Sequence, residues 1–388
     1  MEKKIGIIIF MLILIALPAI TFICLPDEAE PFSENENRYL EEFPELSAEN
    51  IKDEIFMDGF SSWFADRFAG RETLISIKNN TELALGKTEI STVATENDQM
   101  LQLLSEYDDI GAAYSDDTVA ANLDTINSFA AKYPDTEVYF MLVPTSVGIY
   151  GTSLLSDTIL DVTVDESQMI EACYQELEGA TGIDVFSDLA AASDEYIYYR
   201  TDHHWTSLGA YKAYAAAGNL LGYEPYALDD FDKVCGSTDF QGTLFSKTLD
   251  QSVTHDEIDM YTLKTGSSLT ETVSNGIDET DYDSIFFTEY LKVKDKYSTY
   301  TGQNAAKVTI TNPDAENDKA ILIIKDSYAN SFIQFIACNY KTVTMIDMRY
   351  SNFLLSDLVD VTDYDQVLFL YNCITFADDS DLVKLNLD

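Results

Sequence analysis

The sequence is poor in positive charge. Its 23 lysines and arginines stand against 68 aspartates and glutamates, for a net charge of −45. An exposed polyanion such as DNA, RNA or a teichoic acid would be repelled by that mean field, and no charge run marks a basic patch to offset it. Nucleic acid is thus not an expected partner. A neutral glycan is compatible, because sugars are recognised by polar groups and aromatic faces, and the chain carries 24 tyrosines. Cysteine is sparse as well. Beyond Cys24, the residues Cys173, Cys235, Cys338 and Cys373 are scattered without C-x-x-C spacing, which argues against a cysteine-built zinc site. A domain of this size needs no disulfide staples, so free buried cysteines are expected. Histidine occurs three times and tryptophan twice in 388 residues. His203, His204 and Trp205 are adjacent, and the remaining His255 lies in a polar acidic segment, so histidine chemistry must pass through one short stretch.

Hydrophobic residues make up 46% of the chain, ample for a buried core. Residues 5–25 form an apolar run without charge, close to the ~20 residues that cross a bilayer as a helix. Lys3 and Lys4 would keep its start cytoplasmic, so the acidic remainder is expected outside the cell on a single-pass membrane anchor. A cleaved signal peptide is the competing reading, without an evident A-x-A-like site. Lipidation at Cys24 is disfavoured by Ile23, which stands where a small residue is wanted.

Residues 26–47 read as an extended stalk, and residues 48–92 as N-terminal helices packing on the main domain. Asp66, Arg67 and Arg71 are expected to be helix-surface charges or a structural ion pair. From residue 93 to residue 388 the pattern is α/β. Short apolar runs such as Glu137–Val143, residues 319–324, Thr342–Ile346 and residues 366–370 alternate with amphipathic helices, as expected for an open parallel sheet flanked by helices. Residues 183–186 read as a further short strand. Residues 229 to about 312 break the rhythm and read as a β-rich insertion on one end of the sheet, placed to shape a substrate groove.

Three constellations carry chemistry. In Thr201-Asp202-His203-His204-Trp205, Asp202 and His204 are two apart and can lie on one side of an extended loop, the carboxylate fixing the imidazole tautomer. The alternative pairing uses His203 as the base. In Lys325-Asp326-Ser327-Tyr328, a buried strand ends and a helix begins, so Ser327 would present its hydroxyl beside unpaired N–H groups able to stabilise an oxyanion. Asn372 and Arg349 end two further strands, the one a candidate oxyanion donor, the other a candidate substrate anchor. Trp205, Tyr328 and His203 are candidate substrate contacts. The Asp-His-His run also prompts metal-dependent phosphoester hydrolysis, but that needs further Asp or His ligands from other strand ends and only His255 is left over. No metal and no cofactor are expected.

Thr201-Asp202-His203-His204-Trp205 followed by Gly209-Ala210-Tyr211 resembles the signature of the DHHW protein family of Gram-positive bacteria, as do Asn35-Glu36-Asn37-Arg38, Lys325-Asp326-Ser327-Tyr328-Ala329-Asn330 and Tyr371-Asn372. That family is similar to the SGNH-hydrolase-like alginate O-acetylation proteins of the AlgX and AlgJ type, in which an Asp-x-His-Trp motif precedes the nucleophilic serine. The resemblance implies an SGNH-like fold and a triad of Ser327, His204 and Asp202, with the serine last. It implies acyl transfer or acetyl-ester hydrolysis on a cell-surface or exported polysaccharide. The partners would be that glycan and an acyl donor, with a membrane O-acyltransferase feeding the donor as an open alternative. The serine departs from the family of ordinary SGNH esterases in standing in Lys-Asp-Ser-Tyr, and Arg349 falls where a glycine oxyanion donor would sit. A non-catalytic glycan-binding or assembly module of the same fold is the other reading.

Overall fold

The computed structural model describes residues 32–33, 38–104, 115–266 and 268–387. The expected anchor at residues 5–25, Cys24 and Asn35-Glu36-Asn37 lie outside them, as does most of the expected stalk up to residue 37. Among the described residues no helix is long and apolar enough to cross a membrane. Two compact units emerge, one drawn from Met1–Ile90 and Ser246–Gln251, the other from Ser91–Phe245 and Ser252–Asp388.

The first unit holds helices α1 (Ala48–Lys52), α2 (Ile55–Asp66) and α3 (Arg71–Ala84). Ser47 caps α1 by accepting the Asn50 N–H at 3.0 Å, and Gly70, at φ 74°, makes the turn between α2 and α3 that a side chain would strain. The aromatic spacing read from the sequence becomes a ring cluster in which Phe43 meets Phe56, Phe60 and Trp63. Asp66 and Arg67 clamp the Glu41 peptide, the carboxylate accepting its N–H at 2.8 Å and the guanidinium donating to its carbonyl. Asn79 donates to the Thr248 carbonyl at 2.8 Å, which ties residues 246–251 into this unit.

In the second unit a hairpin of β1 (Val93–Glu96) and β2 (Gln99–Gln102) turns through Asn97 and Asp98, both at positive φ. Among the described residues the main sheet has eight strands. They are β3 (Glu137–Val143), β4 (Ala180–Gly182), β7 (Thr270–Ser274), β8 (Glu279–Tyr282), β9 (Lys307–Thr311), β10 (Ala320–Lys325), β11 (Thr342–Ile346) and β12 (Gln366–Asn372). A separate hairpin is built by β5 (Phe231–Phe240) and β6 (Asp256–Leu263). The spatial order is β8-β7-β9-β11-β10-β12-β3-β4. Strands β11, β10, β12, β3 and β4 are parallel, as the apolar runs of the first four predict. Along β3, Tyr139, Met141 and Val143 enter one core, and Val138, Phe140 and Leu142 the other. Helices α7 (Ser207–Leu221) and α8 (Tyr328–Ile336) cover the first face. Helices α4 (Asp116–Lys132), α6 (Glu166–Gln175) and α9 (Cys373–Asp378) cover the second.

Two expectations are corrected. The sheet is mixed, not parallel throughout, because β9, β7 and β8 join its edge antiparallel. Parallel neighbours need a long crossover, whereas β7 and β8 are linked by a tight turn and can only pair as a hairpin. The segment at residues 229–312 is therefore part of the sheet as well as an extension at its end. The strand expected at residues 183–186 lies instead at β4, and Phe186 already opens the helix Phe186–Ala191. Cys173 and Cys373 are free and buried, Cys338 is buried with its thiol donating to the Gln334 carbonyl at 3.5 Å, and Cys235 is free and exposed.

Below the carboxyl edge of β3, the buried Glu166 carboxylate accepts the Thr145 N–H at 2.6 Å and its hydroxyl at 2.7 Å, at the start of the helix α5 (Ser146–Leu154). Gly148 leaves the room, since a Cβ there would stand 2.4 Å from Glu166 Oε2. Burial raises the Glu166 pKa from 4.5 to about 7, against the pull of the Thr145 bonds. Between those values the folded state holds a proton that the unfolded chain has lost, so stability falls as pH rises through that window. The full loss amounts to about 3 kcal/mol. In E166Q the group is fixed neutral, and urea midpoints followed across the window should show the variant losing less stability than wild type by that amount.

Candidate active site

The Asp-His-His-Trp stretch forms the tip of a tight hairpin. Tyr198 and Trp205 pair in an antiparallel bridge, the Tyr199 N–H donates to the His204 carbonyl at 3.2 Å, and the Thr206 N–H to the Ile197 carbonyl at 2.9 Å. Thr206 then caps α7 by accepting the Gly209 N–H, and Gly222 ends α7 in the left-handed conformation. Gly209 is required by the close approach: a Cβ there would lie 2.2 Å from the Ile197 carbonyl oxygen. From β6, the Asp256 carboxylate accepts the Arg200 N–H at 2.7 Å and the Thr201 N–H at 2.8 Å, so the outer side of the tip is held as well.

The serine turn follows β10. Asp326 is fully buried and accepts the Tyr328 N–H at 2.8 Å on one oxygen and the Asn372 N–H at 2.7 Å on the other. It therefore stitches the turn to the end of β12 and leaves Ser327 half-buried at the surface of the edge. No acceptor among the described residues takes the Ser327 N–H.

These two turns bring the three residues together. Ser327 Oγ lies 2.7 Å from His204 Nε2, and His204 Nδ1 lies 2.6 Å from Asp202 Oδ1. Asp202 also accepts the backbone N–H of His204 at 3.0 Å and that of Thr243 at 2.8 Å. Burial pushes its pKa up, but the imidazoles of His203 and His204 and the bonds from His204 and Thr243 outweigh that and hold it far below the usual carboxylate range. It stays ionised and accepts only, which leaves the proton on Nδ1 and the lone pair of Nε2 facing the serine hydroxyl. Gly242 makes space for this carboxylate, since a Cβ at that position would meet Asp202 Oδ2 at 2.2 Å.

The imidazole of His204 is held between two rings. Tyr297 stacks on one face with centroids 3.7 Å apart and planes 10° apart, and His203 lies on the other at 3.8 Å. His203 Nδ1 is 2.6 Å from Thr243 Oγ1, and its ring does not reach the serine by any hydrogen bond among the described residues.

Several sequence candidates are placed differently. Trp205 and Tyr328 are fully buried, the indole donating to the Tyr328 carbonyl at 3.0 Å and the phenol to the His203 carbonyl. They anchor the hairpin to α8 and offer no face to a ligand, because each polar tip finds its partner inside the core. Asn372 directs its amide to Asp326 and, at 2.8 Å, to Thr375 Oγ1. An amide has two hydrogens and both are committed, so Asn372 braces the serine turn instead of facing an oxyanion. Arg349 is partly exposed and binds Asp347 through Nε at 2.9 Å and Nη2 at 2.7 Å, leaving Nη1 without a bond among the described residues. Asp347 is shared with buried Lys325, whose ammonium also bonds Asn330 at 2.7 Å.

Thr243, Asp256 and Tyr297 were not singled out by the sequence. All three come from the irregular segment after α7 and meet the hairpin only through folding; Gly242 beside Thr243 was the one faint local signal. Asp202, His203 and His204 offer ligand atoms within 4.8 Å of one another. For a metal to bind there, His204 would have to release Asp202 or Ser327, since each ring nitrogen already has a partner. Cys235, Glu257 and Asp259 form a second such group, in which Asp259 already pairs with the Lys233 ammonium at 2.7 Å.

The fold has solved relatives. A DHHW family protein from Eubacterium siraeum is similar at a TM-score of 0.65 and 22% identity, over 77% of this chain and 96% of that one. PatB1 of Bacillus cereus, solved free and with a sulfonyl adduct, is similar at TM-scores of 0.63 and 0.62 and identities of 19% and 18%. Both matches cover 76% of this chain, with 99% and 98% of PatB1. The O-acetyltransferase domain of Pseudomonas putida AlgJ, at a TM-score of 0.40 and 13% identity over 68% of this chain and 84% of that one, is too remote to bear on the fold. No curated protein matches the chain. The model of the DHHW protein family matches residues 79–346, a span that includes the Asp202 hairpin, Thr243, Tyr297 and Ser327, and the chain belongs to that family.

Proposed function

We propose that this protein transfers an acyl group, acetyl in the first instance, through Ser327 to or from a hydroxyl of an exported polysaccharide. The observation that carries the reading is the continuous hydrogen-bonded line from Ser327 Oγ through His204 to Asp202, at 2.7 and 2.6 Å. Ser327 Oγ attacks the donor carbonyl while His204 Nε2 takes its proton, and Asp202 stabilises the imidazolium. The Ser327 N–H, free at the start of α8, donates to the oxyanion. Collapse of the tetrahedral intermediate sends the proton from His204 to the leaving group and leaves acyl-serine. A sugar hydroxyl, or water in the esterase variant of the reaction, then attacks that ester with His204 again as base. Arg349 Nη1, at the same edge, would anchor an anionic part of donor or acceptor. The polysaccharide and the extracellular location are supported by the family resemblance, the acidic surface and the apolar run at residues 5–25 that would tether the domain to the membrane.

The test is covalent. Incubation with an aryl sulfonyl fluoride, and separately with p-nitrophenyl acetate, should add one sulfonyl or one acetyl group, located on Ser327 by peptide mass. Adding a chitooligosaccharide or xylooligosaccharide should move the acetyl to the sugar. A protein that takes up neither group would instead be a non-catalytic glycan-binding or assembly module of this fold.

A further inference from the structure

We propose that Tyr297 is a positioning residue for this acyl transfer. Its ring fixes the plane of the His204 imidazole and favours the imidazolium that forms as Ser327 attacks, while its hydroxyl holds the serine turn. The inference rests on the acyl-transfer reading of the site.

Tyr297 lies on a 3₁₀ turn, Lys296–Thr299, in the segment between β8 and β9. Tyr199 and Tyr300 pack against its ring, and it is buried. The hydroxyl donates to the Ser327 carbonyl at 2.9 Å and meets Ser331 Oγ at 3.1 Å, so one side chain contacts the base with its face and the nucleophile's backbone with its tip. Burial pushes the phenol pKa well above its ordinary value, which keeps that hydroxyl a neutral donor across the working range. The stacked, nearly parallel geometry leaves the imidazole little freedom to rotate about its Cβ–Cγ bond, and a rotation would break the 2.7 Å contact with Ser327.

The electrostatic part follows from the ring quadrupole, whose negative face is attractive to a cation and worth more where water is excluded. The other groups around His204 are Asp202 on Nδ1, Ser327 on Nε2, His203 across the opposite face, Tyr328 at 5.4 Å between centroids, and the Asp326 carboxylate, which acts on it through space. Of these, Tyr297 is the group stacked parallel to the ring. Removing its face takes that attraction from the imidazolium as it forms, while Asp202 still holds the tautomer.

The rate of Ser327 sulfonylation as a function of pH reads both effects, because the serine oxygen displaces fluoride from sulfur only as His204 accepts its proton. Tyr297→Leu keeps an apolar side chain without a π face or hydroxyl, and is expected to slow labelling about 10-fold or more and to move the half-maximal pH down by about half a unit. Tyr297→Phe loses the hydroxyl alone and should fall about 3-fold with the midpoint in place. Tyr297→Trp keeps a π face and should keep the midpoint. Leucine behaving as wild type in rate and midpoint overturns the proposal, as does phenylalanine shifting the midpoint as far as leucine. If near-ultraviolet circular dichroism shows the leucine variant unfolded, the phenylalanine and tryptophan variants decide: a lowered midpoint in either overturns the role of the ring. Wild type that is never labelled at Ser327 overturns the acyl-transfer reading itself, a separate outcome.

Discussion

Ser327→Ala is expected to reduce acetyl release from p-nitrophenyl acetate by about 10⁵-fold, to the level of nonspecific surface hydrolysis, without loss of the fold. The size follows from the chemistry: with no nucleophile, His204 and the N–H of residue 327 can at most polarise water against the ester. The preservation of the fold follows from the contacts. The side-chain oxygen bonds to His204 alone among the described residues, whereas the turn is held by the Ser327 carbonyl, by Asp326 and by Tyr328, none of which the substitution touches. Thermal unfolding should therefore move little while turnover and sulfonyl labelling disappear. Retained turnover in this variant would remove Ser327 from the mechanism.

Asp202→Asn is expected to lower turnover by about 10⁴-fold. Oδ1 accepts the His204 backbone N–H and Nδ1–H, and Oδ2 accepts the Thr243 N–H. An amide has one oxygen and one NH₂, so in either orientation an N–H group is turned towards a backbone N–H that cannot accept. With the NH₂ towards His204, Nδ1 must become the acceptor, the proton moves to Nε2, and the ring can no longer take the serine proton. With the NH₂ towards Thr243, the tautomer survives but the half-buried Thr243 N–H is left unsatisfied, costing about 1 kcal/mol, and the charge that stabilises the imidazolium is gone. The expected signature is a fall in kcat with KM nearly constant, together with a modest fall in the urea midpoint. A change confined to KM would place Asp202 outside the proton relay.

Four strands of the parallel half, β3, β10, β11 and β12, were legible because each is a short apolar run buried on both faces, and such runs need no partner to be recognised; β4, only partly buried, was misplaced by three residues. The two outermost antiparallel strands were not legible, although the β-like run at residues 307–310 was. Thr270–Ser274 and Glu279–Tyr282 are short and mostly polar, and they are strands because β9 and the rest of the sheet offer them a ladder. The same asymmetry holds at the site. Asp202 and His204 stand out because they share one turn, and Ser327 because it joins a buried strand to a helix. Asn372 and Trp205 looked equally exposed to chemistry, since a sequence shows that a polar or aromatic group is present and not that its hydrogens are already spent.

By itself the sequence determined the α/β class, the Gly222 stop of α7, and the two turns that carry Asp202, His204 and Ser327, because all of these depend on residues within a few positions of each other. Only the tertiary structure decided which imidazole faces Ser327, that Asn372 spends its amide on Asp326, and that Tyr297 stacks on His204. Those choices depend on strand register and on loops meeting across 123 residues between His204 and Ser327, a separation over which local periodicity carries no information.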